Sequence, residues 1–232
     1  MTAWSRMSGI TDAAVAACLL VVAMVPARAA DWPDVPAPKD SRSEWVSRHM
    51  VYNGVHMQAI RFTSTQTLAQ VEAFYREQWG AEVKKNTLGH KTILGHPQGR
   101  HYVTVDMEGS GGGTEGTIGI VDMRAPAPSH PPGHGMPKPA NSEVINDIRY
   151  LDTDSPARTV LMHNTLSPRL NDDYYQRHLS ADGWRRDGAG DCAATADSCA
   201  VQFARAGAHI ALTFSRVPEG RGTMVMVNRV GE

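Results

Sequence analysis

Residues 167–184, SPRLNDDYYQRHLSADGW, and their earlier counterpart at residues 67–80, TLAQVEAFYREQWG, decide how this chain is read. Each opens on a hydroxyl residue, Ser167 or Thr67, whose side-chain oxygen can accept from the orphan amides of a first helical turn. Thr67 with Gln70 has the spacing of a capping box, and Pro168 suits the first helical position, where its missing N–H costs nothing. Leu68, Val71, Tyr75 and Trp79 recur at steps of three and four, which predicts an amphipathic helix. The later copy keeps Tyr175 and Leu179 but has Asn171 where Val71 stood, so its stripe is weaker. Gly80 and Gly183 supply the exit turns.

Outward from these helices the chain repeats itself. Residues 56–62 carry Ile60 and Phe62 at alternating positions, and residues 156–162 carry Val160 and Met162. Residues 101–107 align with 208–214, and the short strand 92–95 with 200–203. The last strand, 116–121, aligns with 222–227 on the shared Gly-Thr at Gly116 and Gly222. The period is too long for a solenoid, whose repeats run about 20–50 residues, so each copy is a domain-sized module. The expected fold class is α+β, a tandem duplication of a β-α-β-β-β module. Each copy would pack one helix on a small, mostly antiparallel sheet. The modules are expected at 42–123 and 142–232, docked about a pseudo-two-fold axis or by pairing edge strands.

The run of strand, hydroxyl cap, Tyr174-Tyr175, Leu179, Gly183-Trp184 and three strands resembles modules that recur in uncharacterised bacterial cell-envelope (periplasmic) proteins. Core and turn residues carry the resemblance, and it implies no activity, cofactor or site.

Before the modules come a signal peptide at 1–29 and a Pro-rich lead at 30–41. Arg6 precedes an apolar run over residues 13–25, and Ala27-Arg28-Ala29 forms a small-x-small cleavage site. That run is too short to span a bilayer. The mature chain is expected in a bacterial periplasm or outside the cell, after cleavage near Ala29-Ala30, without a transmembrane segment. Processing removes Arg6, Arg28 and Asp12, so 23 basic and 24 acidic side chains become 21 and 23, net −2. Near-neutral charge without a basic stripe argues against nucleic acid. Lys84-Lys85 and Arg185-Arg186 read as solvated strand ends.

Cys192 and Cys199 survive processing, and in an oxidising compartment they read as a disulfide closing one short loop. Such a staple contributes about 2.5 kcal/mol in the chain-entropy treatment. Between the modules lies a linker, residues 124–141, with six of the chain's 14 prolines, expected as a semi-rigid spacer rather than core.

Ten histidines and 11 methionines are the one compositional oddity. His49-Met50, His56-Met57, Met162-His163 and His134-Gly135-Met136 put imidazole beside thioether, a pairing that suits copper. Adjacent strand residues point to opposite faces and cannot easily share one ion, which leaves His130, His134 and Met136 in the linker as metal candidates. His90, His96 and His101 flank a turn and read as solvent-facing.

No Gly-x-Ser-x-Gly elbow is present, and residues 109–113, GSGGG, lie between two strands, where a hairpin is expected rather than a phosphate cradle. Asp172-Asp173 sits where carboxylates complement a helix dipole. No catalytic residue and no cofactor is expected. The reading is an exported, non-catalytic protein that binds or scaffolds, its partner another envelope protein or a small ligand. Copper handling and an enzyme with a site in the inter-module cleft are the alternatives.

Overall fold

The computed structural model describes residues 32–188, 192–218 and 221–231, so the expected signal peptide lies outside the described residues. Strands β1 (Ser41–Tyr52) and β2 (Val55–Ser64) lead into helix α1 (Leu68–Trp79). Strands β3 (Lys84–Leu88), β4 (Lys91–Gln98), β5 (His101–Ser110) and β6 (Gly113–Asp122) follow. Then come β7 (Glu143–Tyr150), β8 (Ala157–Asn164), helix α2 (Pro168–Ala181), β9 (Arg185–Asp187), β10 (Ser198–Arg205), β11 (Ala208–Arg216) and β12 (Thr223–Val230).

All twelve strands belong to one antiparallel sheet in the order β3-β4-β5-β6-β2-β1-β7-β8-β12-β11-β10-β9. This corrects the α+β class: the protein is mainly β, one wide sheet carrying two short helices. Four strands go unmarked in the sequence, β1 and β7 at the centre and β3 and β9 at the edges, and without β1 and β7 each copy has a small sheet of its own. In the structure β1 pairs with β7, Met50 opposite Tyr150 and Tyr52 opposite Ile148, and the two sheets become one. Outward from that seam the strand order is the same on both sides. Merging removes two exposed edges, each a row of unpaired backbone groups open to other chains. Of the two that remain, β9 is three residues long and β3 carries Lys84 and Lys85.

Both helices cover one face of the sheet. On the first half Val71 and Tyr75 pack with Phe62, Leu94, Val103, Val105, Ile118 and Ile120. On the second, Tyr175 and Leu179 pack with Val160, Met162, Phe203, Leu212, Phe214 and Val227. Full burial of each such side chain contributes about 1.5–3 kcal/mol.

The caps form as the sequence implies: Thr67 and Gln70 make a capping box, and the Ser167 hydroxyl accepts from the Leu170 amide. Lys85 donates to Glu72 at 2.8 Å, and Arg186 to Asp172 at 2.8 Å. One cation of each supposedly solvated pair therefore ties its strand to its helix. Asp172 is itself buried, and besides Arg186 it accepts from the Cys192 amide at 2.9 Å.

The proline-rich segments are part of the fold as well. The Tyr75 hydroxyl donates to the Pro36 carbonyl at 3.2 Å, and the Tyr175 hydroxyl to the Pro137 carbonyl at 3.0 Å. Val35 of the lead and Met136 of the linker each lie in the core beneath. The end of the linker is thus the second half's own lead, which corrects its reading as a spacer outside the core.

The strand registers also correct the alignment of the last strand. The Thr114 hydroxyl donates to the Gln66 carbonyl, and the Thr223 hydroxyl to the Leu166 carbonyl. A Cβ on Gly113 would stand 2.0 Å from the Ser64 carbonyl oxygen, and one on Gly222 2.0 Å from that of Asn164. Gly113-Thr114, rather than Gly116-Thr117, is the equivalent of Gly222-Thr223. The glycine-rich run before it is the tight β5–β6 hairpin, Ser110 opposite Gly113.

Asn171, the weak point of the second helix's stripe, is fully buried and has a partner. Its side-chain oxygen accepts from Asn164 Nδ2 at 2.8 Å, and its Nδ2 donates to Asn164 Oδ1 at 3.1 Å. The first half has Val71 and Ser64 in these places. Ser64 Oγ accepts from the Gln66 amide, as Asn164 Oδ1 does from that of Leu166. Asn171→Val alone strands the Asn164 amide and is expected to cost about 1–3 kcal/mol in urea unfolding. Adding Asn164→Ser, which rebuilds the first half's pair, is expected to recover most of the loss. A double variant no more stable than the single one would mean the two amides do not act as a unit.

Candidate functional site

The seam owes its geometry to Asn53-Gly54, which turns β1 into β2 with positive φ at both residues, 48° and 86°. Positive φ at both central residues is what a two-residue hairpin turn of primed type requires. Asn53 then reaches across to β7. Its backbone N–H donates to the Asp147 carbonyl at 2.8 Å, and its side-chain oxygen accepts from the Asp147 amide at 2.7 Å. At the other end Asp152 accepts from the Ser47 hydroxyl at 2.7 Å and the Arg48 amide at 2.6 Å.

On the helix-bearing face the first part of the linker lies over this seam. Pro128 sits so close to Gly54 that a Cβ there would be 2.4 Å from the proline ring. Between linker and sheet is a pocket of about 460 Å³ lined by Val51, His56, His130, Asp147, Arg149 and the prolines from Pro126 to Pro132. Arg149 is shared with a neighbouring pocket of about 330 Å³, whose lining includes Arg158 and Arg229. The first pocket is lined from both halves, the second by the second half alone, and they adjoin at Arg149 to form one groove along the seam.

Strand register places the groove's charges. Val51 is opposite His56 and Arg149, Arg149 opposite Arg158, and Arg158 opposite Arg229. Three arginines therefore stand on one cross-strand rung, on the face that a few residues away is apolar core. Arg158 forms a two-pronged pair with Asp147, Nε to Oδ1 at 2.8 Å and Nη2 to Oδ2 at 2.7 Å. Asp147 also accepts from the Gly133 amide at 2.7 Å, and Arg158 donates to the His134 carbonyl at 3.1 Å. Burial pushes the Asp147 carboxyl up, but Arg158, the Gly133 N–H and Arg149 outweigh it and hold it below the ordinary carboxylate range.

The sequence-derived metal candidates come together in part. His130 and His134 stack with ring centroids 4.1 Å apart, whereas Met136 is seated in the second core. Among the described residues there is no group of three or more His, Cys, Asp or Glu placed to hold a metal ion. His96 and His101 are not solvent-facing as expected: His96 stacks on Trp79 at 5.2 Å, and His101 is buried against Trp32 at 4.8 Å.

Cys192 and Cys199 are joined in a disulfide with Cα atoms 5.7 Å apart. Among the described residues no helix is long and apolar enough to cross a membrane. A disulfide fits an exported protein.

The sequence reading did not single out Arg149, Arg158 or Arg229. A signal was present: Arg158 shares the parity of Val160 and Met162, and Arg229 that of Val225 and Val227, so each falls on the core-facing side of its strand. No protein-family model, no curated protein and no solved structure matches this chain.

Asp147 is expected to tie the seam to pH. Its depressed carboxyl stabilises the fold above the unfolded value near pH 4, and that contribution is lost as pH falls through the folded value. Asp147→Asn leaves Arg158 without its buried partner and is expected to cost about 3–5 kcal/mol at pH 7. In urea melts the gap between variant and wild type is expected to narrow below about pH 4. A gap that stays constant from pH 6 to pH 3 would show that the carboxylate charge is not what matters.

Proposed function

We propose that this is an exported, non-catalytic protein of the bacterial cell envelope that binds or scaffolds another envelope component through the groove at the β1–β7 seam. The observation that carries the reading is the groove itself. Two halves of like strand order fuse into one sheet, and the concavity where they meet is walled by a proline-rich strap and floored by charged side chains. Clefts between subunits or halves are where ligands most often bind, because two surfaces converge on one volume. The disulfide supports the exported setting. The reading as a binder rather than an enzyme is carried by the groove's composition: a dominant Arg158–Asp147 pair, prolines and two exposed histidines, with no nucleophile hydrogen-bonded to a base there among the described residues.

A photo-reactive residue at Ser129, on the strap that lines the groove, is expected to capture a partner when the protein is exposed to envelope extract. The same residue at Thr117, on the opposite face of the sheet, is expected to capture none. Equal capture from both positions, or none from either, would remove the groove as the binding surface. Mature protein recovered from the periplasm is expected to begin near Ala30, as mass spectrometry of its N-terminus would show.

A further inference from the structure

The groove's floor is more specific than a generic cleft. Residues directly opposite on neighbouring strands have Cβ atoms about 4.5–5.5 Å apart, and like charges so placed repel. Arg149, Arg158 and Arg229 create that repulsion twice in succession. Among the described residues Asp147 is the one carboxylate in ion-pair contact with the three guanidinium groups, and it is committed to Arg158. The Arg149 side chain is exposed and makes no ion pair or hydrogen bond with any described residue. Arg229 has its guanidinium carbon 5.8 Å from the Trp184 ring centroid, and its buried Nε has no acceptor among the described residues. A buried donor left without an acceptor costs about 1–3 kcal/mol. Two cations therefore flank a neutralised pair, and all three open on one pocket of about 330 Å³.

The plain alternative is that Arg149 and Arg229 are solvated side chains. That accounts for Arg149 alone. It leaves unexplained why three arginines occupy one core-facing rung, where an apolar residue would avoid both the repulsion and the desolvation. Guanidinium is the side chain whose planar fork matches an oxyanion through two parallel hydrogen bonds.

We propose that the Arg149–Arg158–Arg229 rung binds a doubly charged oxyanionic group, a phosphate or a pair of carboxylates, on the ligand of this groove. The proposal rests on the groove being the binding surface. Arg149 and Arg229 grip the anion from either side, and Arg158, held in place by Asp147, forms the floor between them. The oxyanion relieves the mutual repulsion of the cations.

Isothermal titration of the full mature protein at low ionic strength, with inorganic phosphate and separately with malonate, tests this. Binding of at least one anion is expected, and the stronger of the two tells a phosphate-bearing ligand from a dicarboxylate. Arg149→Gln and Arg229→Gln are each expected to weaken it about tenfold or more, the loss of a charged hydrogen bond. Arg185→Gln, an exposed arginine on β9, is expected to leave it unchanged. Cooperative urea transitions in the two groove variants are expected to show that they fold, and phosphate or malonate is expected to raise the midpoint of the wild type but not of these variants. Equal binding by all four proteins, or no heat with either anion, would overturn the proposal. If the anions do not bind while the residue at Ser129 still captures a partner, the oxyanion site fails and the groove stands. If both fail, the groove reading fails as well.

Discussion

The structure depends on a short ladder of backbone hydrogen bonds between Met50–Tyr52 and Ile148–Tyr150. Without it the chain is two six-stranded sheets, each with an open central edge. With it those edges satisfy one another, and a pocket lined from both halves joins the arginine-lined one of the second half. Few residues make the ladder, so side chains brace it at both ends, Asn53 on β7 and Asp152 on β1. Tyr52 adds a side-chain hydrogen bond to Asn146 at the Asn53 end. Asp147 joins three things at once: its backbone meets Asn53, and its carboxylate meets Arg158 and the Gly133 amide of the strap.

The halves are alike in strand order and differ where their loops do different work. Both anchor the helix by an acid–base pair to the outer strands and hang a proline carbonyl on a buried tyrosine. In the first half β3 and β4 meet in a tight hairpin. In the second, the longer β9–β10 connection is held by the disulfide and by the bond from the Cys192 amide to Asp172. The second half needs that staple more, because its β9 pairs over three residues where β3 pairs over five.

The helices, most strands and the disulfide were legible because each has a local signature: a hydroxyl cap, an alternating run, two nearby cysteines. The fold class was not. β1 is polar and largely exposed along much of its length and carries two irregularities of register, so no alternation marks it. Asn53-Gly54 was its one local sign, a hairpin turn that betrays a strand on either side. The arginine rung was hidden for a related reason. Its members come from three strands, and register brings them together only once β7 is known to be a strand. Met136 was misjudged because composition says a proline-rich segment lacks donors, and says nothing of whether an apolar side chain within it finds a core.

The tyrosine–proline hydrogen bonds carry a consequence for how such a chain arose. Because the stretch ending at Pro137 is equivalent to the stretch ending at Pro36, little more than residues 124–132 is left as true connector. Three residue pairs and a few polar braces are a small area on which to hold two separate molecules together. Fusing the genes for two such units changes the arithmetic, since a short tether presents each half to the other at an effective concentration in the millimolar range. The covalent link, as much as the interface it spans, is what makes a junction this slight permanent.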